Sequence, residues 1–516
     1  MHYFTLYVSR KLSGEFLPKS LCRLIVILLV ALNCCVARAE IPVKIWWSSE
    51  LLPEDERWFT NPPEETEIQF RLQRQPDLKF EPLGSRKGTT FRIDPGKRFQ
   101  TISGIGTSLE ETTVYAILKN KSDAQIRELL KALIDPARGI GLNLFRITIG
   151  TSDFSDARAV SQHPQGFYSY QDREDAPFSI QNDQDLGIVK VLQMAREVAQ
   201  NLVPPQEIRF FASCWSPPGW MKTSGTLIGG SLKPGYENHL ARYFRQFIEA
   251  YAAHGIPIYA MTLQNEPNYL PEKYPGMKLT WQQEHDLARA ICENFRQPPA
   301  LPVKVWINDH NFEYWVNADS VLMKLKSAGK GTCVDAVAFH NYSDAPVENM
   351  SRLKQRHPDT DVLISEHSEF GVRGMAAIQD YFRQGATAYT YWVTMSTQTT
   401  DEHNQGPWNH LGELSPTMLI KRDGDNPDWY RTPEYFLIGQ FSKFIRRGAR
   451  RITCETGNRE TLTAVAFQNP DRSIVVVLVN QTEFEQNFRL LFRGQQVCAS
   501  LPAKSVATCL WQTLEK

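Results

Sequence analysis

The sequence predicts an α/β protein built as a (β/α)8 TIM barrel, with an accessory β-sandwich formed from both chain ends, and three observations predict it. Between about residues 100 and 445, short β-rich apolar runs alternate with longer stretches that carry apolar residues at three-to-four spacing. Eight such units can be counted, the number that closes a parallel sheet on itself. Both flanks carry strand-like runs separated by turn residues, and neither flank alone supplies enough strands for a stable sheet.

The strand candidates of the barrel are Phe99–Thr107, Leu142–Ile149, Ile208–Cys214, Ile258–Leu263, Val303–Ile307, Val334–Phe339, Val362–Ser365 and Ala388–Val393. Helices are expected over Asp123–Leu133, Asn238–Ala253, Trp281–Phe295, Ser320–Ser327 and Met375–Gln384. An open doubly wound sheet is the rival arrangement, but it announces its ligand site with a Gly-rich turn that opens a helix. Gly104-Ile105-Gly106-Thr107 lacks the third glycine. In the flanks, Val43–Trp47 and Ile68–Leu72 precede the barrel, with the turn segment around Pro62-Pro63 between them. Leu462–Phe467, Ile474–Val479, Phe488–Phe492 and Val506–Trp511 follow it. The expected boundaries are a leader over 1–39, sandwich strands over 40–98, the barrel over 99–446 and the rest of the sandwich over 447–516.

Arg10, Lys11, Lys19 and Arg23, then the apolar run Leu24–Leu32, then Ala37-Arg38-Ala39, follow the order of a secretory signal, with cleavage expected after Ala39. That places the mature chain outside the cell or in the periplasm. Retention of the leader as an anchor is the alternative, and lipidation at Cys34 or Cys35 is disfavoured by Asn33. No later run is long and apolar enough to span a bilayer. Removing the leader takes away five Lys/Arg and one Glu from 57 of each sign, leaving 52 basic against 56 acidic residues. A weakly acidic chain without a basic block gives no support to nucleic-acid binding. Of nine cysteines, six remain, with no Cys-x-x-Cys pair, so zinc-ribbon and redox motifs are excluded. Cys498 and Cys509 are the expected neighbours if a disulfide forms.

In a (β/α)8 barrel, reactive groups project from the C-terminal strand ends. The fourth strand ends in Gln264-Asn265-Glu266-Pro267 and the seventh in Ile364-Ser365-Glu366-His367. Each puts a carboxyl where an apolar run stops. Cleaving an acetal needs a proton for the leaving oxygen and a negative group at the oxocarbenium-like centre, and two carboxyls supply both. A lone Glu at a loop start is ordinarily a solvated surface group; two at matching strand ends are not explained that way. Trp215 and Trp392 could stack on the apolar faces of a sugar ring, or pack in the core. Arg146 and Asp153 bracket the end of the second strand, as sugar-binding groups or as a structural ion pair. His340, Asn341, Tyr342, His367 and the Asp401-Glu402-His403-Asn404 cluster show no ligand spacing, so neither metal nor cofactor is expected. A serine hydrolase lacks its Gly-x-Ser-x-Gly elbow.

Ordered along the chain stand Phe99-Gln100 through Gly104-Ile105-Gly106, Asn143-x-x-Arg146 through Ser152-Asp153-Phe154-Ser155, Ser213-x-Trp215-Ser216-Pro217-x-x-Trp220-Met221-Lys222, Asn265-Glu266-Pro267, Ser365-Glu366 and Gly439-Gln440-Phe441-Ser442-Lys443-Phe444-Ile445. With these motifs the chain resembles the glucosylceramidase-like glycoside hydrolases of family 30, in clan A, from Phe99 to Trp511. The resemblance implies a barrel with a sandwich built from both ends, Glu266 as acid/base and Glu366 as nucleophile. It also implies Arg146, Asp153, Trp215, Asn265 and Trp392 as ligands of the first sugar subsite, with His340 and Tyr342 around the nucleophile. Thr107-Ser108-Leu109-Glu110-Glu111, His367 and the loops beyond the eighth strand depart from the family pattern, and those loops shape the aglycone side. The expected activity is retaining hydrolysis of β-glucosides, with glucosylceramide-like lipids first and endo-β-1,6-glucan second. A non-catalytic carbohydrate-binding barrel is the third reading.

Overall fold

Barrel strands that are covered on both faces need near-continuous apolar sequence, and the observed strands have it. The computed structural model describes residues 42–50, 65–156, 166–327, 333–367, 369–398, 417–458 and 460–513. Met1–Pro42 and Val43–Lys516 are separate units; the leader, its cleavage point and the Pro62-Pro63 turn lie outside the described residues. In the second unit eight parallel strands close into a barrel. They are β1 (Gly104–Ser108), β2 (Leu144–Thr148), β3 (Arg209–Ser213), β4 (Ile258–Thr262), β5 (Lys304–Asn311), β6 (Val334–His340), β7 (Asp361–Glu366) and β8 (Ala386–Thr390). Closure is made by β8 on β1, with Ala388 opposite Gly104 and Thr390 opposite Gly106. A Cβ at Gly106 would lie 1.4 Å from the Leu144 carbonyl oxygen, so no side chain fits there.

Large and small side chains alternate inside the barrel: Leu144, Phe211, Trp306 and Leu363 pack with Ala260, Ala336, Ala338 and Ala388. This fills the interior as a layered core rather than a pore. Amphipathic helices bury their apolar stripes on the outside, and two of them begin at capping boxes, Ser122 with Gln125 before Asp123–Ile134 and Thr280 with Gln283 before Trp281–Phe295. Among the described residues, no helix is long and apolar enough to cross a membrane.

The sandwich does use both ends. Pro42–Ser49 runs antiparallel to Ser505–Trp511, with Lys44 opposite Leu510 and Ser49 opposite Ser505. Thr89–Thr101 serves two partners: Thr89 to Arg92 pair with Phe488 to Leu491, and Ile93 to Thr101 pair with Arg450–Cys454. The buried helix Pro433–Ser442 joins barrel and sandwich. Its Gln440 donates to Ser48 Oγ and accepts at its carbonyl from Thr508, and a Cβ at Gly439 would meet Leu72 at 2.6 Å.

Three expectations are corrected. The run Phe99–Thr107 is not one strand: at Ile102 and Ser103 the backbone leaves the sandwich, donating to Ala449 O and Thr387 O, and β1 starts at Gly104. Ile68–Leu72 is not a strand either; Ile68 is buried beside the 3-10 turn Glu65–Glu67, and the strand begins at Gln73. Cys498 and Cys509 are unbonded, because their strands do not pair: Cys498 lies opposite Arg489 and Cys509 opposite Val476. The disulfide instead joins Cys292, in helix Trp281–Phe295, to Cys333, just before β6, with Cα atoms 5.8 Å apart.

Candidate active site

The C-terminal strand ends gather one connected set of charges. Arg146, in the middle of β2, is fully buried and stacks its guanidinium 4.7 Å from the Trp215 ring centroid and 5.1 Å from that of Trp392. Its nitrogens donate to Ser213 Oγ at 3.1 Å, Asn265 Oδ1 at 2.9 Å, Asp309 Oδ2 at 3.0 Å and Glu366 Oε2. A buried guanidinium with four acceptors fixes the position of every group around it.

Asp309 is the second hub. Burial opposes its ionisation, but Arg146, His340 and Ser365 outweigh burial and hold the carboxyl below the usual carboxylate range. Thr262 Oγ1 donates to it at 2.6 Å, Ser365 Oγ at 2.5 Å and His340 Nε2 at 3.0 Å. Consecutive left-handed residues, Asn308 at φ 72° and Asp309 at φ 44°, accompany a break in register between β5 and β6. The irregularity turns Asp309 toward Arg146 at the cost of backbone strain.

His340, at the end of β6, lies between the two strand-end glutamates. Its Nδ1 is 3.2 Å from Glu266 Oε1 and its Nε2 is 3.6 Å from Glu366 Oε2. Burial disfavours the charged ring, yet Glu366, Asp309 and Glu266 together lift it to about 10, so it is an imidazolium near neutral pH. His310, 3.8 Å from Glu266, is pushed down to about 3 by burial and by the charge on His340, and stays neutral. Glu266 follows β4 in a left-handed conformation, φ 50°, with its backbone N–H bonded to Asp309 O at 3.0 Å. Glu366 ends β7 and accepts from Tyr342 Oη at 2.9 Å as well as from Arg146.

An aromatic wall closes one side. Trp215 and Trp392 stack at 5.1 Å, and Phe154 meets Trp392 edge-on at 5.5 Å. Trp392 lies two residues past β8, not within the strand as expected, and its indole N–H has no protein partner among the described residues. Burial, then the charges of Glu366 and Glu266, push the Asp153 carboxyl well above its usual range. Lys222 is buried and donates to Ser216 Oγ, Leu227 O and Gly276 O, which ties the loops beyond β3 and β4 together.

Of the residues singled out from sequence, the hydrogen-bonded network brings Glu266, Glu366, Arg146, Asn265, His340 and Tyr342 together, Trp215 and Trp392 cover Arg146, and Asp153 joins electrostatically. His367 does not belong: it is buried on the opposite side of β7, 3.2 Å from Tyr389 Oη and 3.4 Å from Glu369, as alternation along a strand requires. Asp309 was missed. Its signal was present, since Asn308-Asp309-His310 follows the apolar run Val305-Trp306-Ile307 as Gln264-Asn265-Glu266 follows Met261-Thr262-Leu263. Among the described residues no three His, Cys, Asp or Glu side chains group as a metal site, and Asp401, Glu402, His403 and Asn404 lie outside those residues.

Matching this geometry, the glycosyl hydrolase family 30 TIM-barrel domain covers residues 102–445 and the family's β-sandwich domain residues 448–509. The chain belongs to glycosyl hydrolase family 30. As a family 30 glycoside hydrolase it is 27% identical to the lysosomal acid glucosylceramidase of Mus musculus, over 82% of this chain and 84% of that one. It is 28% identical to an endo-1,6-β-D-glucanase of Neurospora crassa, over 82% and 85%. In fold it is similar to SrfJ from Salmonella typhimurium, TM-score 0.76 at 22% identity, covering 91% of this chain and all of that one.

Proposed function

We propose that the enzyme is a retaining β-glucosidase in which Glu366 is the nucleophile and Glu266 the general acid/base. The observation that supports this reading is His340, whose ring lies 3.2 Å from one glutamate and 3.6 Å from the other and so ties the two strand-end carboxyls to one side chain. Glu366 attacks the anomeric carbon while Glu266 protonates the leaving oxygen; Glu266 then takes a proton from the water that releases the sugar. A retaining pair has carboxyls about 5–5.5 Å apart. The hydrogen bonds from Arg146 and Tyr342 hold the Glu366 carboxyl in place. Asp153, held neutral, can donate to a sugar hydroxyl beside the indole N–H of Trp392, and Trp215 with Asn265 completes the first subsite. These assignments rest on the network and on motif resemblance.

The leading substrate is a glucosylceramide-like β-glucoside. Exposed Tyr269 and Leu270, each 47% accessible just beyond Glu266, and Tyr342 at 45%, give the rim apolar surface for a lipid aglycone. The second reading, endo-β-1,6-glucan hydrolysis, draws on relatives of that name at comparable identity. We also propose export after cleavage at Ala39. Hydrolysis of glucosylceramide, β-1,6-glucan, aryl β-glucoside and aryl β-xyloside by wild type and Glu366→Gln tests the assignment. Turnover of a β-glucoside that disappears in the variant is expected; no turnover of any β-glucoside overturns it.

A further inference from the structure

A cavity of about 550 Å³ lies in the β-sandwich, remote in sequence from the strand ends that carry the carboxyl network. Four arginines line it, each from a different segment: Arg98 on Thr89–Thr101, Arg450 at the start of Arg450–Cys454, Arg472 in the turn before Ile474–Asn480, and Arg493 in the hairpin between Gln486–Phe492 and Gln495–Leu501. Asn469 and Thr513 are among its other walls, and no carboxylate lines it among the described residues. Arg98, Arg450 and Arg493 make no ion pair among those residues; Arg450 bonds to Thr101 Oγ1, and Arg493 packs on the Phe492 ring.

Two acids lie near the lining. Asp471 pairs with Arg446 at 2.6 Å and accepts from Ser473, and Asp94 accepts from the N–H of the lining residue Gly96 at 2.8 Å and keeps its charge. One such carboxylate against four guanidiniums leaves the wall net positive. The four guanidiniums are exposed, so water screens their mutual repulsion, and what they give the concave surface is a net positive potential. Tight turns aim two of the four side chains. Arg493 at φ 49° and Gly494 at φ 77° form the two-residue hairpin loop between the paired Phe492 and Gln495, and Arg472 at φ 64° closes the turn in which its N–H donates to Asn469 O.

We propose that this cavity binds a small multivalent oxyanion of the phosphate class, free or carried on a sugar. Guanidiniums match phosphate oxygens in paired, charge-assisted hydrogen bonds, and the volume admits a ligand larger than one phosphate. The proposal is independent of the glycosidase assignment.

The test is calorimetric titration of the full chain with inorganic phosphate, pyrophosphate and glucose 6-phosphate, each at ionic strength matched with sodium chloride. The triple variant Arg98→Gln/Arg450→Gln/Arg493→Gln is the control. Saturable binding is expected, weakened about tenfold or more by the triple variant, with aryl β-glucoside hydrolysis unchanged. That unchanged activity establishes that the variant folds, and the single variant Arg493→Gln, expected to weaken binding less, serves if it does not. Tighter binding of glucose 6-phosphate than of phosphate identifies a sugar-borne ligand, and the reverse a free oxyanion. No saturable binding of any probe, or equal binding by wild type and triple variant, overturns the proposal.

Discussion

Two regions of the molecule bury carboxyl groups, and they handle the charge in opposite ways. At the barrel mouth, Asp309 and Glu366 sit against Arg146 and His340, and the cations hold Asp309 below the usual carboxylate range. At the N-terminus of helix Gly371–Arg383, Glu434 accepts from Gly371 N at 2.5 Å and Glu50 accepts from Val372 N at 2.7 Å. There Glu434 has no cation beside it among the described residues: burial and the neighbouring Glu50 push it up to about 8. Glu50 is raised too, burial outweighing its backbone bond and Lys504. Backbone N–H groups at a helix terminus position a carboxyl, but on this scale a buried one stays ionised only beside a full positive charge. The cations of the barrel mouth therefore favour the charged form of Asp309, whereas at the helix terminus burial favours the protonated form of Glu434.

The sharpest break comes from removing the nucleophile. Glu366→Gln keeps the shape and loses the charge, and should lower kcat by roughly 10⁴-fold or more. Glu266→Ala should lose activity but regain turnover of an aryl β-glucoside with added azide, because azide replaces water without needing a base. Absence of azide rescue counts against the acid/base role.

Next in size, Asp309→Asn should cost roughly 10²–10³-fold in kcat/KM by loosening Arg146 and His340. It also removes one of the charges that hold His340 at about 10. A raised histidine contributes stability that is complete below its ordinary 6.5 and is lost as pH rises through about 10. The variant should therefore move the alkaline limb of the pH profile to lower pH. A purely structural loss would lower the melting temperature and leave that limb in place.

The smallest effect falls in the other region. Glu434 binds a proton in the folded state from its ordinary 4.5 up to about 8, so its contribution is complete below 4.5 and is lost as pH rises toward 8. Glu434→Gln mimics the protonated form and should flatten that slope, adding roughly 1–3 kcal/mol at pH 8 and little at pH 4.5. Urea melts at the two pH values measure this. An equal effect at both would remove the contrast between the regions.

What could be read from the sequence follows from which interactions are local. Trp281–Phe295 was bounded correctly because Thr280 and Gln283 cap it and its apolar period is uninterrupted. Glu266 and Glu366 stood out because each ends an apolar run. Asp309 also follows an apolar run, but β5 continues through it to Asn311 and left-handed backbone angles turn it toward Arg146, so the end of the run does not coincide with the end of the strand. Gln495–Leu501 was passed over because its polar residues hide a strand held by pairing with Gln486–Phe492. The Cys292–Cys333 disulfide depended on proximity across 41 residues, which spacing alone does not reveal. His367, a departure from the family pattern in sequence, turned out to face the helices behind β7, so it does not shape the leaving-group side.

The claim on which the rest stands is that two strand-end glutamates cleave a β-glucosidic bond through a covalent intermediate. Proton NMR of the first sugar released from an aryl β-glucoside tests it directly. The β-anomer is expected first, with α appearing only by later mutarotation; the α-anomer as first product would mean inversion and would contradict Glu366 as nucleophile.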